Sequence, residues 1–316
     1  MEHGMENKYR ECLEVIVNPE ASSGKGIRTW EHIKKLLDEK NAPYNVHILN
    51  APGQAEYVAS RLTRDLSDDR HILVVGGDGT LNETLNGIKD FEHTKLSCVR
   101  SGSGSDFALN MKIDKDIEKA LFHILDEPEE IQVDYGEVTA DNYPPRRFLI
   151  SCGVGYDADI CKEVSNSGLK KLFNRMGIGK LVYVFIGIKQ IFTRKKTMAL
   201  LYLDDEKPIR IKRLFFVVGM NQIYEGGGVP FCPEADPTDG VMDVCLVRDM
   251  PKWKLLLAVA MVYSKKHLMF RKINCYRCKS MYLGTMKPQQ IHLDGETPYE
   301  ARRIRWETKG KLRFVK

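Results

Sequence analysis

Long apolar runs are missing from this sequence. The two longest, Leu181–Ile188 and Leu255–Tyr263, carry no charged residue, but both are far shorter than the roughly 20 apolar residues that a helix needs to span a bilayer. Residues Met1–Glu14 are polar and mixed in charge, so the sequence predicts no secretory signal peptide. These absences argue against a membrane-spanning protein, and we expect a cytoplasmic one.

Two common nucleotide-binding motifs are absent as well. The sequence contains no GxxxxGK[ST] motif, which excludes a P-loop of the usual type. It also contains no GxGxxG motif, which argues against a dehydrogenase-type dinucleotide fold.

The cysteines are not spaced as in a disulfide-bonded or zinc-binding domain. Eight cysteines are scattered along the 316 residues, and without a secretory signal we expect reduced thiols. Cys275 and Cys278 form one CxxC pair, which would need a second pair or histidines at ligand spacing to hold zinc. None is evident, so the favoured interpretation is two cysteines near a strand end.

Acidic residues are missing from two long segments. Residues 164–203 contain eight Lys or Arg and residues 251–293 contain nine, while neither segment contains Asp or Glu. Since the whole chain has a net charge of only +5, the remainder is acidic. This asymmetry suggests an anionic partner, either nucleic acid or a negatively charged membrane surface. Solvated faces of unrelated helices are the alternative interpretation.

Strand and helix patterns alternate through the first part of the chain. Short apolar runs followed by helical patterns indicate a parallel sheet with helices on its faces. After about Val133, strand-like runs become frequent and are joined by turns rich in Pro, Gly and Asp, which is typical of an antiparallel sandwich or barrel. We therefore predict an α/β protein with a parallel-sheet domain over residues 1–133 and an antiparallel β-sandwich domain over residues 134–316.

The strongest functional feature is a glycine-rich loop. Val74 and Val75 end an apolar run, and the sequence GGDGTLNE follows at Gly76–Glu83. Glycine lets backbone N–H groups approach a ligand, and a helix N-terminus favours anions, so the pattern is typical of a phosphate-binding loop. A carboxylate within it, Asp78, would repel phosphate unless a cation lay between them, which implies Mg²⁺. A tight structural turn is the alternative.

Two further loops of small residues follow other strands of the predicted sheet, at Asn18–Gly26 and Ser101–Ala108. Loops after the carboxyl ends of parallel strands gather at one edge, where ligands bind. The three loops would therefore form one crevice, rich in N–H and hydroxyl donors, with two carboxylates from Asp78 and Asp106.

In this order, the motifs resemble the catalytic domain shared by diacylglycerol, sphingosine and ceramide kinases and their bacterial relatives. Besides the three loops, the similar segments are FLISCGVGYDA at Phe148–Ala158, GGGVPFCPEADPTDG at Gly226–Gly240 and HLDGE at His292–Glu296. The resemblance covers essentially the whole chain. It implies a nucleotide-binding domain resembling phosphofructokinase and NAD kinase, then a β-sandwich domain whose C-terminal end can pack back on the first. ATP would lie in the cleft between them.

The resemblance also implies which residues hold the nucleotide. They are Asn18, Ser22, Asn50, Gly76, Gly77, Asp78, Gly79, Thr80, Leu81, Asn82, Glu83 and Ser103. Several positions depart from the family pattern, among them Ser22 where many members have Gly, Asn50 where a Thr is frequent, and Ser105 where an Asn is common. The loss of an amide at Ser105 puts that contact in doubt.

Carboxylates carry the implied catalysis. Asp294 and Glu296 would act on the lipid, one of them as the general base that accepts the proton of its hydroxyl, with Asp294 ranked slightly ahead. Asp78, Asp106 and Glu296 would organise the catalytic Mg²⁺. For Asp294 and Glu296, a plain hairpin turn is the alternative, because Asp-Gly is a strong turn signal.

A second metal site is implied away from the phosphates. Relatives bind a structural Mg²⁺ in the region that matches Asp236, Asp239 and the carbonyl of Val241 in this sequence. Oxygen ligands in a turn suit a hard cation. A plain Pro-Thr-Asp-Gly turn is the alternative.

Taken together, the resemblance implies an ATP-dependent kinase that phosphorylates a lipid alcohol, with diacylglycerol or a related glycerolipid as the expected acceptor. A sphingoid base and an undecaprenyl-type alcohol stay open. We expect ATP and Mg²⁺ as cofactors, peripheral docking on an anionic membrane surface and no nucleic-acid partner, because no recognisable binding motif accompanies the basic segments. A homodimer is left open. An NAD kinase-like enzyme and a non-catalytic regulator that binds nucleotide or lipid are the alternatives.

Overall fold

The chain divides into two compact units. The computed structural model describes residues 12–101, 105–166, 179–204 and 206–316, and the units are Met1–Val133 with Lys311–Lys316 and Asp134–Gly310. The last six residues, at the end of the chain that the resemblance allows to pack back on the first domain, are grouped with the first unit. Within the described ranges, no helix is long and apolar enough to cross a membrane.

The first unit contains a parallel sheet. Its strands are β1 (Leu13–Val17), β2 (Tyr44–Ile48), β3 (Arg70–Gly76) and β4 (Thr94–Arg100). β1 pairs in parallel with β2 and β3, and β3 pairs in parallel with β4. Near the end of the chain, Arg313 and Phe314 add a further parallel pairing beside β4. All five residues of β1 are buried, as expected for a strand covered on both faces.

The helices in the described part of the first unit connect or follow these strands. They are α1 (Ala21–Gly24), α2 (Gly26–Glu39), α3 (Gln54–Leu62), α4 (Asp78–Gly87), α5 (Asp106–Asn110) and α6 (Ile117–Leu125). α2 forms because Trp30, Ile33 and Leu37 recur at three- and four-residue spacing and bury one face. α4 begins two residues after β3 ends, which places its N-terminus at the carboxyl edge of the sheet.

The second unit contains an antiparallel sheet. Its strands are β5 (Glu130–Ala140, which starts in the first unit), β6 (Tyr143–Phe148), β7 (Ser151–Gly155), β8 (Thr197–Leu203), β9 (Ile209–Met220), β10 (Tyr224–Glu225), β11 (Val229–Pro230), β12 (Met242–Arg248), β13 (Ile273–Cys278), β14 (Ser280–Leu293) and β15 (Glu296–Val315). Neighbours along the order β13-β12-β9-β7-β14-β15 pair antiparallel. β8 also pairs with β9 and β14, while β10 and β11 form a separate short ribbon.

Among the described residues, two large apolar clusters and a small one around Val164 and Ile186 hold the second unit together. The first large cluster includes Phe148, Met281 and Trp306, and the second includes Phe216 and Cys245. Within its described ranges, this unit contains the helices α7 (Tyr156–Asn166), α8 (Gly179–Thr193) and α9 (Lys252–Met261), and α9 is followed by two 3₁₀ turns, Val262–Ser264 and Lys266–Met269. Successive residues of a strand point to opposite faces of the sheet, and here they pack in different clusters: Val244 and Leu246 in the first, Cys245 and Val247 in the second. The sheet is therefore buried on both faces.

Candidate functional site

Three loops meet at the carboxyl ends of strands in the first unit. After β1, the side-chain amide of Asn18 donates a hydrogen bond to Thr80 Oγ1 at 2.9 Å, and after β4, Ser101 Oγ donates to the carbonyl of Gly76 at 2.8 Å. Gly76 ends β3, and a Cβ there would lie 2.7 Å from Cβ and Oγ1 of Thr80. Side-chain hydrogen bonds and close packing therefore join the loops that follow β1, β3 and β4.

Asp78, the first residue of α4, links this loop to the start of α5. Its Oδ1 accepts hydrogen bonds from Ser105 Oγ at 2.7 Å and from the N–H of Phe107 at 3.3 Å, and its Oδ2 accepts from the N–H of Asp106 at 2.9 Å. Burial raises the pKa of Asp78 to about 7, and the charge of Asp106 adds to the shift against these three hydrogen bonds. A divalent cation would reverse this shift by stabilising the ionised pair.

The end of the glycine-rich motif has a structural role. The two oxygens of Glu83 accept hydrogen bonds from the N–H groups of Gly53, at 2.9 Å, and Ala55, at 3.3 Å. The carboxylate of Glu83 therefore holds the start of α3. Leu81 and Asn82 are buried, so the apolar side chain of Leu81 contributes to the core of the unit rather than to a polar ligand site.

The other residues predicted to bind the nucleotide are Asn50, Gly77, Ser103 and Ser22, and the structure describes them to different extents. The N–H of Asn50 donates to Gln54 Oε1 at 2.6 Å, on the exposed surface. A Cβ at Gly77 would meet no atom within 4 Å, so the backbone in front of α4 is open on that side. Ser103 lies outside the described residues, and so does the side chain of Ser22.

In the second unit, Asp294 forms a tight set of backbone contacts. Its Oδ2 accepts from the N–H of Leu149 at 2.9 Å, and its Oδ1 accepts from the N–H groups of Ile150 and Ser151 at 2.8 and 3.0 Å. Asp294 and Gly295 have φ angles of +47° and +88° and alone connect β14 to β15. The Asp-Gly hairpin turn, which was the alternative interpretation of this motif, is present, and the Asp294 carboxylate fixes the entry to β7.

Glu296 differs from Asp294 in its exposure to solvent and in its hydrogen-bond partners. It opens β15 and pairs with Leu293 across the hairpin. Its side chain is exposed, and it forms no hydrogen bond or ion pair with any residue that the structure describes. The two carboxylates of the motif are therefore one fixed group and one accessible group.

The predicted structural metal site forms a hydrogen-bonded turn. Asp236 Oδ1 accepts from the N–H and the hydroxyl of Thr238, at 2.9 and 2.7 Å. Asp239 Oδ1 accepts from the N–H of Val241 at 3.1 Å, while its Oδ2 pairs with the guanidinium of Arg277. Arg277 already supplies a positive charge to Asp239, so these residues fit a structural Mg²⁺ poorly.

Sequence reasoning missed a buried ionic cluster beneath the hairpin. His292 Nε2 lies 2.9 Å from Asp157 Oδ2 and 3.2 Å from Glu225 Oε1, and all three residues are buried. A Cβ at Gly153 would lie 2.3 Å from Asp157 Oδ2, so glycine is required there. Burial lowers the pKa of His292, but the two carboxylates outweigh it and raise the pKa to about 9. The available signals were the positions of Asp157 and His292 within the FLISCGVGYDA and HLDGE motifs.

An exposed surface of the second unit combines apolar and basic side chains. Lys252 at the start of α9 reaches α8, where its Nζ donates to the carbonyl of Phe192 at 2.8 Å. The large apolar residues exposed on α8, on α9 and in the turns after α9 are Phe185, Ile188, Phe192, Trp253, Leu257, Val259, Tyr263, Leu268 and Met269. Exposed basic residues next to them in sequence include Lys189, Lys252, Lys254, Lys265, Lys266, Arg271 and Lys272. We call this set the basic apolar surface. Residues 167–178, which belong to the first segment without Asp or Glu, lie outside the described residues.

Comparisons with known proteins agree with this architecture. The diacylglycerol kinase catalytic domain matches residues 13–138, and the YegS C-terminal NAD kinase beta sandwich-like domain matches residues 151–302. The fold is thus a two-domain α/β fold with a C-terminal antiparallel, sandwich-like domain. Because the two matches follow one another over most of the chain, the protein belongs to the diacylglycerol kinase family of lipid kinases.

Individual relatives match over nearly the full chain. The protein is 27% identical over 295 residues to YtlR of Bacillus subtilis strain 168, a candidate lipid kinase by its name, with 89% of this chain and 92% of that protein covered. It is 24% identical over 287 residues to a diacylglycerol kinase of the same organism, with 89% and 88% covered. A structure from Bacillus anthracis strain Sterne, described as a candidate diacylglycerol kinase, has the same fold, with a TM-score of 0.74, 20% identity and coverage of 100% and 97%.

Proposed function

We propose that the protein transfers the γ-phosphoryl group of ATP to the free hydroxyl of diacylglycerol, using Mg²⁺. The first unit would bind the nucleotide and the second unit the lipid. The observation that carries the proposal is the joined loop set of Asn18, Gly76–Thr80 and Ser101, in a chain whose relatives include proteins named diacylglycerol kinase.

The start of α4 supports phosphate binding in this loop set. Gly77 leaves the backbone open, and the first N–H groups of a helix have no partner within the helix and attract negative charge. Asp78 and Asp106 are the carboxylates that would hold the Mg²⁺. Bound there, the ion would neutralise charge on the phosphates and orient the γ-phosphoryl group for in-line transfer.

We assign the role of general base to Glu296 rather than to Asp294. Both oxygens of Asp294 are already engaged by three backbone N–H groups, which fixes the carboxylate against β7. Glu296 is exposed and has no partner among the described residues, so its oxygens are free to accept the proton of a lipid hydroxyl. Asp294 would then position the hairpin that presents Glu296.

An assay on a total lipid extract can identify the molecule that accepts the phosphoryl group without a prior choice of lipid. The purified protein is incubated with radiolabelled ATP, Mg²⁺ and a total lipid extract, and the labelled product is compared with that from pure diacylglycerol, with NAD as a separate acceptor. We expect label in phosphatidic acid. Labelled NADP with no labelled lipid would reject the proposal and favour the NAD kinase alternative, while a different labelled lipid would correct the acceptor.

We further propose that the basic apolar surface docks on an anionic membrane. Trp253, Tyr263 and Met269 are 60%, 65% and 75% exposed, and a helix in water normally keeps its exposed face polar. Contiguous exposed apolar residues mark interaction sites. Basic neighbours select an anionic surface, since each contributes on the order of 1 kcal/mol near such lipids.

Cosedimentation with vesicles tests this docking. We expect binding to vesicles rich in anionic lipid, weaker binding to neutral vesicles and release by roughly half-molar salt, which shortens the range of electrostatic attraction. Trp253→Ala and Lys254→Glu should each weaken binding about fivefold or more, whereas Lys115→Glu, an exposed charge reversal in the first unit, should not. Equal binding by all three variants and insensitivity to salt would reject the surface.

A further inference from the structure

Three thiols come together in the second unit. Cys245 on β12 and Cys275 on β13 are direct cross-strand partners, and Cys232, in the turn after β11, places its Sγ 3.9 Å from the Sγ of Cys275. Cys275 is exposed, whereas Cys232 and Cys245 are buried. The cluster thus has one thiol that solvent can reach and a second in contact behind it.

The CxxC pair seen in the sequence is not the functional pair. Cys275 and Cys278 are three residues apart on one strand, so their side chains leave opposite faces of the sheet. Cys278 packs in the cluster around Trp306, whereas Cys232 and Cys245 belong to the other cluster. Zinc chelation by the CxxC pair is therefore excluded by geometry.

We propose that Cys275 and Cys232 are a site of reversible thiol oxidation, with a peroxide as the oxidant. The thiolate of Cys275 attacks one oxygen of hydrogen peroxide, which forms a sulfenic acid and releases hydroxide. The thiol of Cys232 then attacks that sulfur, forms the disulfide and releases the sulfenic oxygen as water. The two sulfurs together lose two electrons, which reduce the peroxide, and a dithiol reverses the reaction by exchange.

The positions of the two residues favour this pairing. A disulfide has an S–S distance of about 2.05 Å, so sulfurs that start 3.9 Å apart need only a small approach. Cys232 lies in the turn after Pro230 and outside any regular strand, so the turn can yield. Cys245 is fixed on β12 opposite Cys275, and a bond there would have to form between two paired strands.

The electrostatic setting distinguishes the two thiols. Hydrogen bonding with Cys232 and Cys245 lowers the pKa of the Cys275 thiol against its partial burial, whereas hydrogen bonding with Cys245 and Cys275, together with burial, keeps the pKa of the Cys232 thiol well above its usual range. A thiol with a lowered pKa and access to solvent is the kind that peroxide oxidises selectively. The disulfide would tie the turn before Asp236 to the strand that carries Arg277, and so restrict the segment that the Asp239–Arg277 ion pair already holds.

Peptide mapping tests the proposal on the intact protein. The reduced protein is treated with one equivalent of hydrogen peroxide, remaining thiols are blocked, and the unfolded chain is digested with trypsin and a Glu-specific protease. Cleavage after Glu234 is essential, because it separates Cys232 from Cys245. We expect a cross-linked peptide pair containing Cys232 and Cys275, the loss of two titratable thiols, and the recovery of both after reduction.

Matched variants complete the test. Cys232→Ser should abolish the cross-link and leave Cys275 as a sulfenic acid that dimedone traps, whereas Cys278→Ser and Cys245→Ser should form the cross-link as the unmodified chain does. Cys275→Ser, a change at an exposed position, should also abolish it and covers the case in which Cys232→Ser fails to fold. A cross-link to Cys245, a disulfide between chains, or an unmodified Cys275 would each overturn the proposal.

Discussion

The Asp294-Gly295-Glu296 hairpin makes a prediction in which stability and activity separate. Asp294→Asn keeps the size of the side chain but replaces one carboxylate oxygen with an NH₂ group. If the remaining oxygen keeps the bonds to Ile150 and Ser151, the N–H of Leu149, now 2.9 Å from an acceptor, faces another donor. One charge-assisted hydrogen bond is lost and one backbone donor is left without a partner.

The magnitude follows from these contacts. A hydrogen bond to a charged group contributes about 1.5–3 kcal/mol, and an unsatisfied donor adds to the loss. We therefore expect Asp294→Asn to lower the free energy of unfolding of the second unit by about 2–4 kcal/mol. Glu296→Gln removes a charge from an exposed side chain that has no partner among the described residues, so its effect should stay within about 0.5 kcal/mol.

The assay combines urea unfolding with steady-state kinetics on each variant. Trp306, which is fully buried in β15 of the second unit, provides the fluorescence change. Glu296→Gln should have the unfolding midpoint of the unmodified protein but a kcat at least 100-fold lower, with little change in the KM for ATP. Unchanged stability of Asp294→Asn would show that the three backbone hydrogen bonds of Asp294 do not stabilise the hairpin. Unchanged kcat of Glu296→Gln would show that Glu296 is not the general base.

The loop and the buried cluster give the remaining predictions. Gly76→Ala should destabilise the first unit by about 2 kcal/mol or more, because the added Cβ would lie 2.7 Å from Thr80. A Cβ at Gly77 has open space around it. Gly77→Ala should therefore be as stable as the unmodified protein but bind ATP more weakly, as measured by calorimetry. Equal stability of the two variants would contradict the packing. The folded pKa of His292, about 9, lies above its unfolded value of 6.5, so its stabilising contribution is complete below pH 6.5 and is lost as pH rises through 9, by about 3 kcal/mol in all. His292→Asn should flatten urea stability over this window, and an unchanged slope would show that another group titrates there.

The sequence predicted local features well and distant partners poorly. The Gly76–Glu83 loop and the Asp-Gly hairpin could be found because glycine positions and turn preferences are local properties. The role of Asp294 could not, since its donors are Leu149, Ile150 and Ser151, more than 140 residues earlier in the chain. Only the pairing of β14 with β7 brings these segments together.

Other contacts between distant segments were unpredictable for the same physical reason. Glu83 belongs to a motif that suggests nucleotide contact, yet its carboxylate caps α3, because the fold places that helix beside α4. Cys275 and Cys278 lie near the end of β13, as the favoured interpretation of the CxxC pair had it, but the register of β12 against β13, which brings Cys245 opposite Cys275, could not be predicted. Register and strand order depend on the whole sheet, which a reading of single segments does not supply.

The most direct test of the central claim is phosphoryl transfer itself. Purified protein is assayed with radiolabelled ATP and diacylglycerol in anionic vesicles, with and without Mg²⁺, beside Asp78→Asn checked for an unchanged fold. Our account predicts labelled phosphatidic acid that requires Mg²⁺, and a turnover at least 100-fold lower for Asp78→Asn, since phosphoryl transfer depends on the metal being held against the phosphates. The absence of labelled lipid, or full turnover by Asp78→Asn, would contradict it.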